Sequence, residues 1–304
     1  MPSLTAVQEF NASVSSASKC PVGVFVGGTS GIGRGMARAF ARHHKGNARL
    51  IIIARNKVAA DELIASLPSP AKDLSEFIHC EASLMRNNDT ACAQLAKRDV
   101  EKINYLVLSV GELVAHKREL TEEGLDRNLA TIFFGRFRWI QNLAPMLDRA
   151  AESGEEAKVM TIARGGKGGP INWDDLDVNN NALSRMGAEL PTYIDLSLRA
   201  FAKRHPIVAF THSYPGFVWS PLFIRSPSWV FRIMGYLSAP FLYMLSISED
   251  QSGEYMMYGM YRSQAGFSCV GQSGDVVQGY QCTDEEIERI WDYACNKSNI
   301  PNTQ

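Results

Sequence analysis

Short apolar runs of strand length alternate with longer amphipathic stretches over most of the chain. Val24-Phe25-Val26, Leu50-Ile51-Ile52-Ile53-Ala54, Glu76-Phe77-Ile78-His79-Cys80, Ile103-Asn104-Tyr105-Leu106-Val107-Leu108, Lys158-Val159-Met160-Thr161-Ile162-Ala163 and the segment from Ile207 to Ser213 read as strands. The continuous apolar run at Leu50 to Ala54 is what a parallel sheet needs when helices cover both of its faces. The alternation therefore predicts an α/β fold, a doubly wound parallel sheet with flanking helices. Thr121-Glu122-Glu123 is expected to cap and open a long helix through Phe137, and Ser248 and Thr283 to start two later ones.

The first strand runs into Gly27-Gly28-Thr29-Ser30-Gly31-Ile32-Gly33-Arg34, and an amphipathic helix follows at once. Glycines there let the backbone approach phosphates, and the N–H groups and dipole of the new helix attract their charge. A dinucleotide is the expected ligand, seated by Gly27, Thr29, Ser30, Gly31, Ile32 and Gly33. The second strand ends at Arg55-Asn56, beside the adenosine ribose in such folds. An arginine at that tip accommodates a 2′-phosphate, which argues for NADP(H).

Composition narrows the field. The chain has 304 residues, a formal net charge of −1 and basic residues without clustering, so nucleic acid is excluded as a partner. Six cysteines lie far apart with no CxxC spacing, which fits buried thiols and implies no metal site. Residues 1–19 are polar and lack a signal-peptide core, so the expected location is the cytoplasm.

The glycine spacing resembles that of the short-chain dehydrogenase/reductase family, and further landmarks fall in the family's order over residues 20–221. Glu81-Ala82 stands where the family has its adenine contact, and Ser109-Val110-Gly111 in place of its Asn-Asn-Ala-Gly. Pro215-Gly216-Phe217-Val218-Trp219-Ser220 matches the loop that holds the nicotinamide carboxamide. The resemblance implies a Rossmann-type dinucleotide-binding domain over 20–221, after an extension at 1–19. Residues 222–304 then form a lid and terminal helices of the same domain, and a homo-oligomer is expected. Gly-Gly-Thr-Ser-Gly-Ile-Gly-Arg, Cys80-Glu81-Ala82-Ser83 and Pro191-Thr192-Tyr193 are similar to a divergent fungal set tied to secondary metabolism. That likeness implies a bulky, largely apolar small-molecule substrate.

The family's catalytic pattern is missing. Reduction of a carbonyl needs a proton donor, and a tyrosine serves when a nearby cation lowers its pKa. No tyrosine here has a lysine four residues later: Tyr193 is followed by Ser197 and Tyr258 by Arg262. The family tyrosine is expected near Arg185 to Ala188, the serine at Ala163 or Arg164 and the asparagine at Ile132. The leading reading is an NADP(H)-dependent reductase of a ketone or enone, with Tyr193 or Thr161 as donor and Arg164 stabilising the oxyanion. An alternative is chemistry without net redox change (isomerisation, dehydration or cyclisation) using Glu112, His116, Asp195 or Arg164. A third is a catalytically silent cofactor- or partner-binding protein. Residues 228–247, rich in aromatics and methionine but broken by Arg232 and Pro240, are expected to cover an apolar pocket or to form a partly buried oligomer contact; contact with a membrane is the less favoured alternative.

Overall fold

A computed structural model describes residues 2–14, 16–111, 119–179, 182–218 and 246–299. Eight strands form one sheet: β1 (Val22–Val26), β2 (Arg49–Ala54), β3 (Glu76–His79), β4 (Tyr105–Leu108), β5 (Lys158–Ile162), β6 (Ala209–Ser213), β7 (Gly266–Val270) and β8 (Val276–Val277). Their spatial order is β3-β2-β1-β4-β5-β6-β7-β8. All neighbours run parallel except β8, which closes the edge antiparallel to β7. The chain thus reverses direction across the sheet between β1 and β4, and a doubly wound sheet opens its ligand crevice at that point.

Two buried clusters sandwich the sheet. One face packs against α2 (Gly31–His43), α3 (Lys57–Ala65) and α7 (Glu249–Arg262), and α1 (Leu4–Ser13) lies outside it against α7 and α2. The other packs against α4 (Met85–Ala96), α5 (Gly135–Glu152) and α6 (Ala182–Arg204), and α8 (Asp284–Ser298) lies outside it against α6 and α5. Strand alternation assigns the faces: Phe25, Ile52, Val107 and Met160 point to the first, while Val24, Ile53, Leu106 and Val159 point to the second. The helices expected to start at Ser248 and Thr283 both do, each through a capping box with the Gln or Glu three residues on.

Three features depart from the sequence expectations. The long helix does not open at Thr121; Thr121 to Asp126 form a turn, and the Asp126 carboxylate caps the chain at Asn128 and Leu129. An α turn at Arg127–Leu129 and a π turn at Ala130–Phe134 then lead into α5. The polar N-terminal extension contains α1, which Ser3 caps and whose Asn11 donates to the Glu254 carboxylate on α7 at 2.7 Å. Finally, β7 and β8 extend the sheet where only helices and a lid were expected after residue 222.

Candidate active site

At the carboxyl end of β1 the glycine turn is shaped by close backbone approach. Gly27 has φ +89°, and a Cβ there would stand 2.7 Å from the Val110 nitrogen. A Cβ on Gly33 would stand 2.2 Å from Ser109 Oγ and 2.8 Å from the Gly27 carbonyl oxygen. Side chains at either position would fill the cleft, so glycine is required there. Ser109 braces the other wall, its N–H and its hydroxyl both donating to the Val26 carbonyl. The α2 N-terminus starts at Ser30 with no side-chain cap and no acid in its first turn. Its leading N–H groups are therefore available to an anion such as a pyrophosphate. Thr29, Ser30 and Ile32 are half-buried around this opening, while Gly31 is buried.

The adenosine end lies at the tips of β2 and β3. Arg55 and Asn56 are exposed, and Arg55 Nη1 donates to Glu81 Oε2 at 3.2 Å. Glu81 also accepts from the Ser83 hydroxyl at 3.0 Å, next to buried Ala82. Asn56 caps α3 by accepting the Ala59 N–H, so its side chain is already engaged. Arg34, in the glycine turn itself, is held by Glu249 at 2.6 Å.

At the opposite end, Tyr214 N–H donates to Val270 at the end of β7, and Pro215 is buried beside it. Gly216 has φ +72°, and a Cβ there would meet the Gln272 side chain at 2.6 Å. Val218 bridges to Ile247. Ser220 lies outside the described residues, as do Glu112, His116 and residues 222–245 of the expected lid.

Of the three proposed catalytic residues, Tyr193 and Thr161 are buried and only Arg164 is exposed. Tyr193 is wholly buried, with Phe133 at 5.5 Å and Tyr293 at 6.4 Å between ring centroids, and its hydroxyl meets the Leu176 carbonyl and Glu189 at 3.3 Å each. Burial first, and then the Glu189 carboxylate, push its phenol well above its ordinary range. That placement corrects the donor assignment: Tyr193 is a packing residue of α6. Thr161 is also sealed in the core, and its Oγ1 has no hydrogen-bond partner. Direct proton donation to a substrate does not fit it either.

Arg164 is exposed at the turn after β5, and its Nη1 donates to the Gly187 carbonyl at 2.7 Å. Gly187 lies in the window where the family tyrosine is expected. Around it, Arg185 is engaged by Asp175 and Glu189, and Met186 is buried. The window from Arg185 to Ala188 contains no tyrosine or acid, and Pro191 follows one turn later.

The Arg164 turn rests on a buried pair that the sequence did not reveal. His212 Nε2 accepts the Arg164 backbone N–H at 3.3 Å, and Nδ1 donates to Asp195 Oδ1 at 2.6 Å. Asp195 Oδ2 accepts the Tyr280 N–H at 2.9 Å, and the Cys269 thiol donates to Oδ1 at 3.4 Å. Burial holds the imidazole below its ordinary pKa against the pull of Asp195. Asp195, His212 and Cys269 bring one potential metal-ligand atom each within 4.8 Å of one another. Their atoms already hydrogen-bond one another, which fits a satisfied core cluster better than a cation site. Only the register of β6 and α6 could have announced this cluster, because its members are 17 and 57 residues apart in sequence.

A family model described as short chain dehydrogenase matches residues 22–166. An oxidoreductase of Emericella nidulans, AN1596, is 32% identical over 92% of this chain and 85% of its own length. Among solved structures, an NADPH-bound carbonyl reductase from chicken fatty liver superposes with TM-score 0.62 at 16% identity, covering 86% of this chain and 99% of its own. A MalC Reductase/Diels-Alderase from Malbranchea aurantiaca has TM-score 0.59 at 16% identity, covering 84% of this chain and 95% of its own.

Proposed function

The chain belongs to the short-chain dehydrogenase/reductase family, and on that premise we propose that it is an NADP(H)-dependent reductase whose proton delivery departs from the family's. Its substrate in this reading is a ketone or enone of a bulky, largely apolar metabolite of secondary metabolism. The observation that carries the reading is the pairing of an intact dinucleotide cradle at Gly27, Gly33 and Ser109 with a cation, Arg164, at the family's tyrosine window.

When bound, the reduced nicotinamide supplies the hydride. The residues of the chain do the rest. The uncapped α2 N-terminus and the glycine turn hold the pyrophosphate, with Thr29, Ser30, Gly31 and Ile32 around it. Glu81 and Ala82 line the adenine side, and Gly111, Pro215, Gly216 and Val218 the nicotinamide side. Arg164 polarises the carbonyl oxygen, since a guanidinium stays charged and its donors point in fixed directions. His212 and Asp195 hold the backbone from which it projects.

Arg55 supports the 2′-phosphate assignment, because it stands exposed at the β2 tip. A charge-assisted contact of about 1.5–3 kcal/mol corresponds to roughly 10- to 100-fold in affinity. Arg55→Asp is accordingly expected to weaken NADPH by that factor and to leave NADH within about threefold. Fluorescence titration with both coenzymes measures it, and an equal loss for both contradicts the assignment.

Tyr193→Phe provides the complementary check on proton delivery. It is expected to leave coenzyme affinity and carbonyl turnover within about threefold while lowering stability by about 1 kcal/mol, the worth of one hydrogen bond. A fall of a hundredfold or more in turnover would restore Tyr193 as the donor.

A second reading keeps the cleft but uses it without net redox change. The absence of a tyrosine or acid from the Arg185–Ala188 window supports it, as does a fold relative described as both reductase and Diels-Alderase. Titration with NADPH followed by a carbonyl panel separates the readings. Coenzyme consumption supports the reductase, product without consumption supports the second reading, and neither supports a silent binding protein.

A further inference from the structure

Beneath the Arg164 turn lies another guanidinium, one helical turn beyond Ile132. Arg136 on α5 is 4% exposed, and its Nη2 donates to the Val110 carbonyl at 2.7 Å. Among the described residues its Nε and Nη1 have no hydrogen-bond partner, and neither has the buried hydroxyl of Thr161. The strand register brings these groups together. Thr161 on β5 sits between Leu108 on β4 and His212 on β6. Arg136 is anchored two residues beyond Leu108, and its charge is felt at His212. The guanidinium therefore spans the carboxyl ends of these strands in the neighbourhood of Thr161.

Nothing negative compensates this charge among the described residues. Arg136 and Arg164 have no carboxylate partner, and Lys167 lies over the Tyr214 ring at 5.6 Å. Asp195, the buried acid on His212, is occupied by His212 and the Tyr280 N–H. Burial alone draws the Arg136 pKa down to about 9, so it remains charged at neutral pH. A buried cation with unmade hydrogen bonds destabilises a fold, and native proteins satisfy almost all such groups. Gly111 is exposed beside Val110, and a Cβ on it would meet nothing within 4 Å among the described residues.

We propose that Arg136 is the anion-binding group at the substrate end of the cleft, taking a carboxylate or enolate oxygen of an acidic metabolite. This rests on the cleft reading above and narrows its substrate from a bulky apolar molecule to one that also bears an ionised oxygen. In a site shielded from water such a contact discriminates strongly between an anion and its neutral analogue.

The test uses the full chain saturated with NADPH at pH 7 and the probe pairs cinnamate with cinnamamide and hexanoate with hexanamide. Calorimetry and thermal melting are recorded for wild type, Arg136→Met and Arg136→Gln. In wild type the carboxylates are expected to bind at least about tenfold more tightly than the amides. In both variants that ratio should fall to about one, with ligand-free melting of Arg136→Met equal to or above wild type, because an unpaired buried charge has been replaced by an apolar chain of similar size. Lack of carboxylate preference in wild type, its persistence in the variants, or failure of both variants to fold overturns the assignment. Loss of NADPH binding in wild type overturns the cleft reading itself, whereas NADPH binding without carboxylate preference overturns only the role of Arg136.

Discussion

Gly35→Val is expected to destabilise the protein by at least about 3 kcal/mol, lowering its melting temperature by roughly 6–12 °C. A Cβ at Gly35 would lie 1.9 Å from the Glu249 carbonyl oxygen, and one at Gly253 would lie 2.3 Å from the Gly35 carbonyl carbon. Helices α2 and α7 thus touch backbone to backbone, and the obstructing atom is a main-chain carbonyl that cannot swing aside. Separating the helices would also disturb Met256, Met257 and Met260, which pack against the α2 side of the sheet. Because the same α2 begins at the glycine turn, coenzyme affinity should fall together with stability. Thermal melting and NADPH titration of the purified variant measure both, and a melting temperature within about 2 °C of wild type would refute the backbone contact.

Acid stability provides the second large effect. Glu254 is 3% exposed along its side chain and accepts hydrogen bonds from Asn11, His43 and Arg42. Burial by itself would raise its pKa, but the bonds from His43, Asn11 and Arg42 outweigh it and hold the carboxyl down at about 2, against an ordinary value of 4.5. A depressed carboxylate stabilises the fold fully above its unfolded pKa, and that contribution fades as pH falls from 4.5 towards about 2. The span corresponds to about 3 kcal/mol. Glu254→Gln should therefore lose about that much at pH 7 and show a shallower decline between pH 5 and pH 2.5. Urea unfolding at several pH values checks it; a decline parallel to that of wild type would mean that Glu254 titrates normally.

The sequence exposed the parts of the fold whose pattern is local. Six of the eight strands are apolar runs, and the Ser248 and Thr283 caps carry their own Gln and Glu partners. The glycine turn was legible because its backbone approach demands a particular residue type. Elements defined by tertiary fit were not. Gly266–Val270 becomes a strand only because β6 offers an edge, and α1 is held through Asn11, an unremarkable polar residue until Glu254 lies opposite it. Thr121 had the composition of a helix cap, yet Asp126 took the role because Thr121 was committed to a turn with Leu125. At the site, the loss of the family's catalytic groups was visible in the residues themselves. The buried position of Tyr193 and the cluster of His212 with Asp195 were not, since each depends on which face of α6 meets the sheet. Arg136 was passed over because a lone arginine in a helix ordinarily faces solvent.

The last helix also constrains how two copies of the chain could meet. Trp291 of α8 inserts between Phe137 of α5 and Phe201 of α6, with centroids 5.1 and 5.0 Å away, and the Arg204 guanidinium lies 3.8 Å over its ring. Tyr293 continues the seam against Phe134. The outer aromatic flank of the α5–α6 pair is therefore already sealed from within the same polypeptide. Any self-association must recruit some other part of the surface, or first peel this closure away.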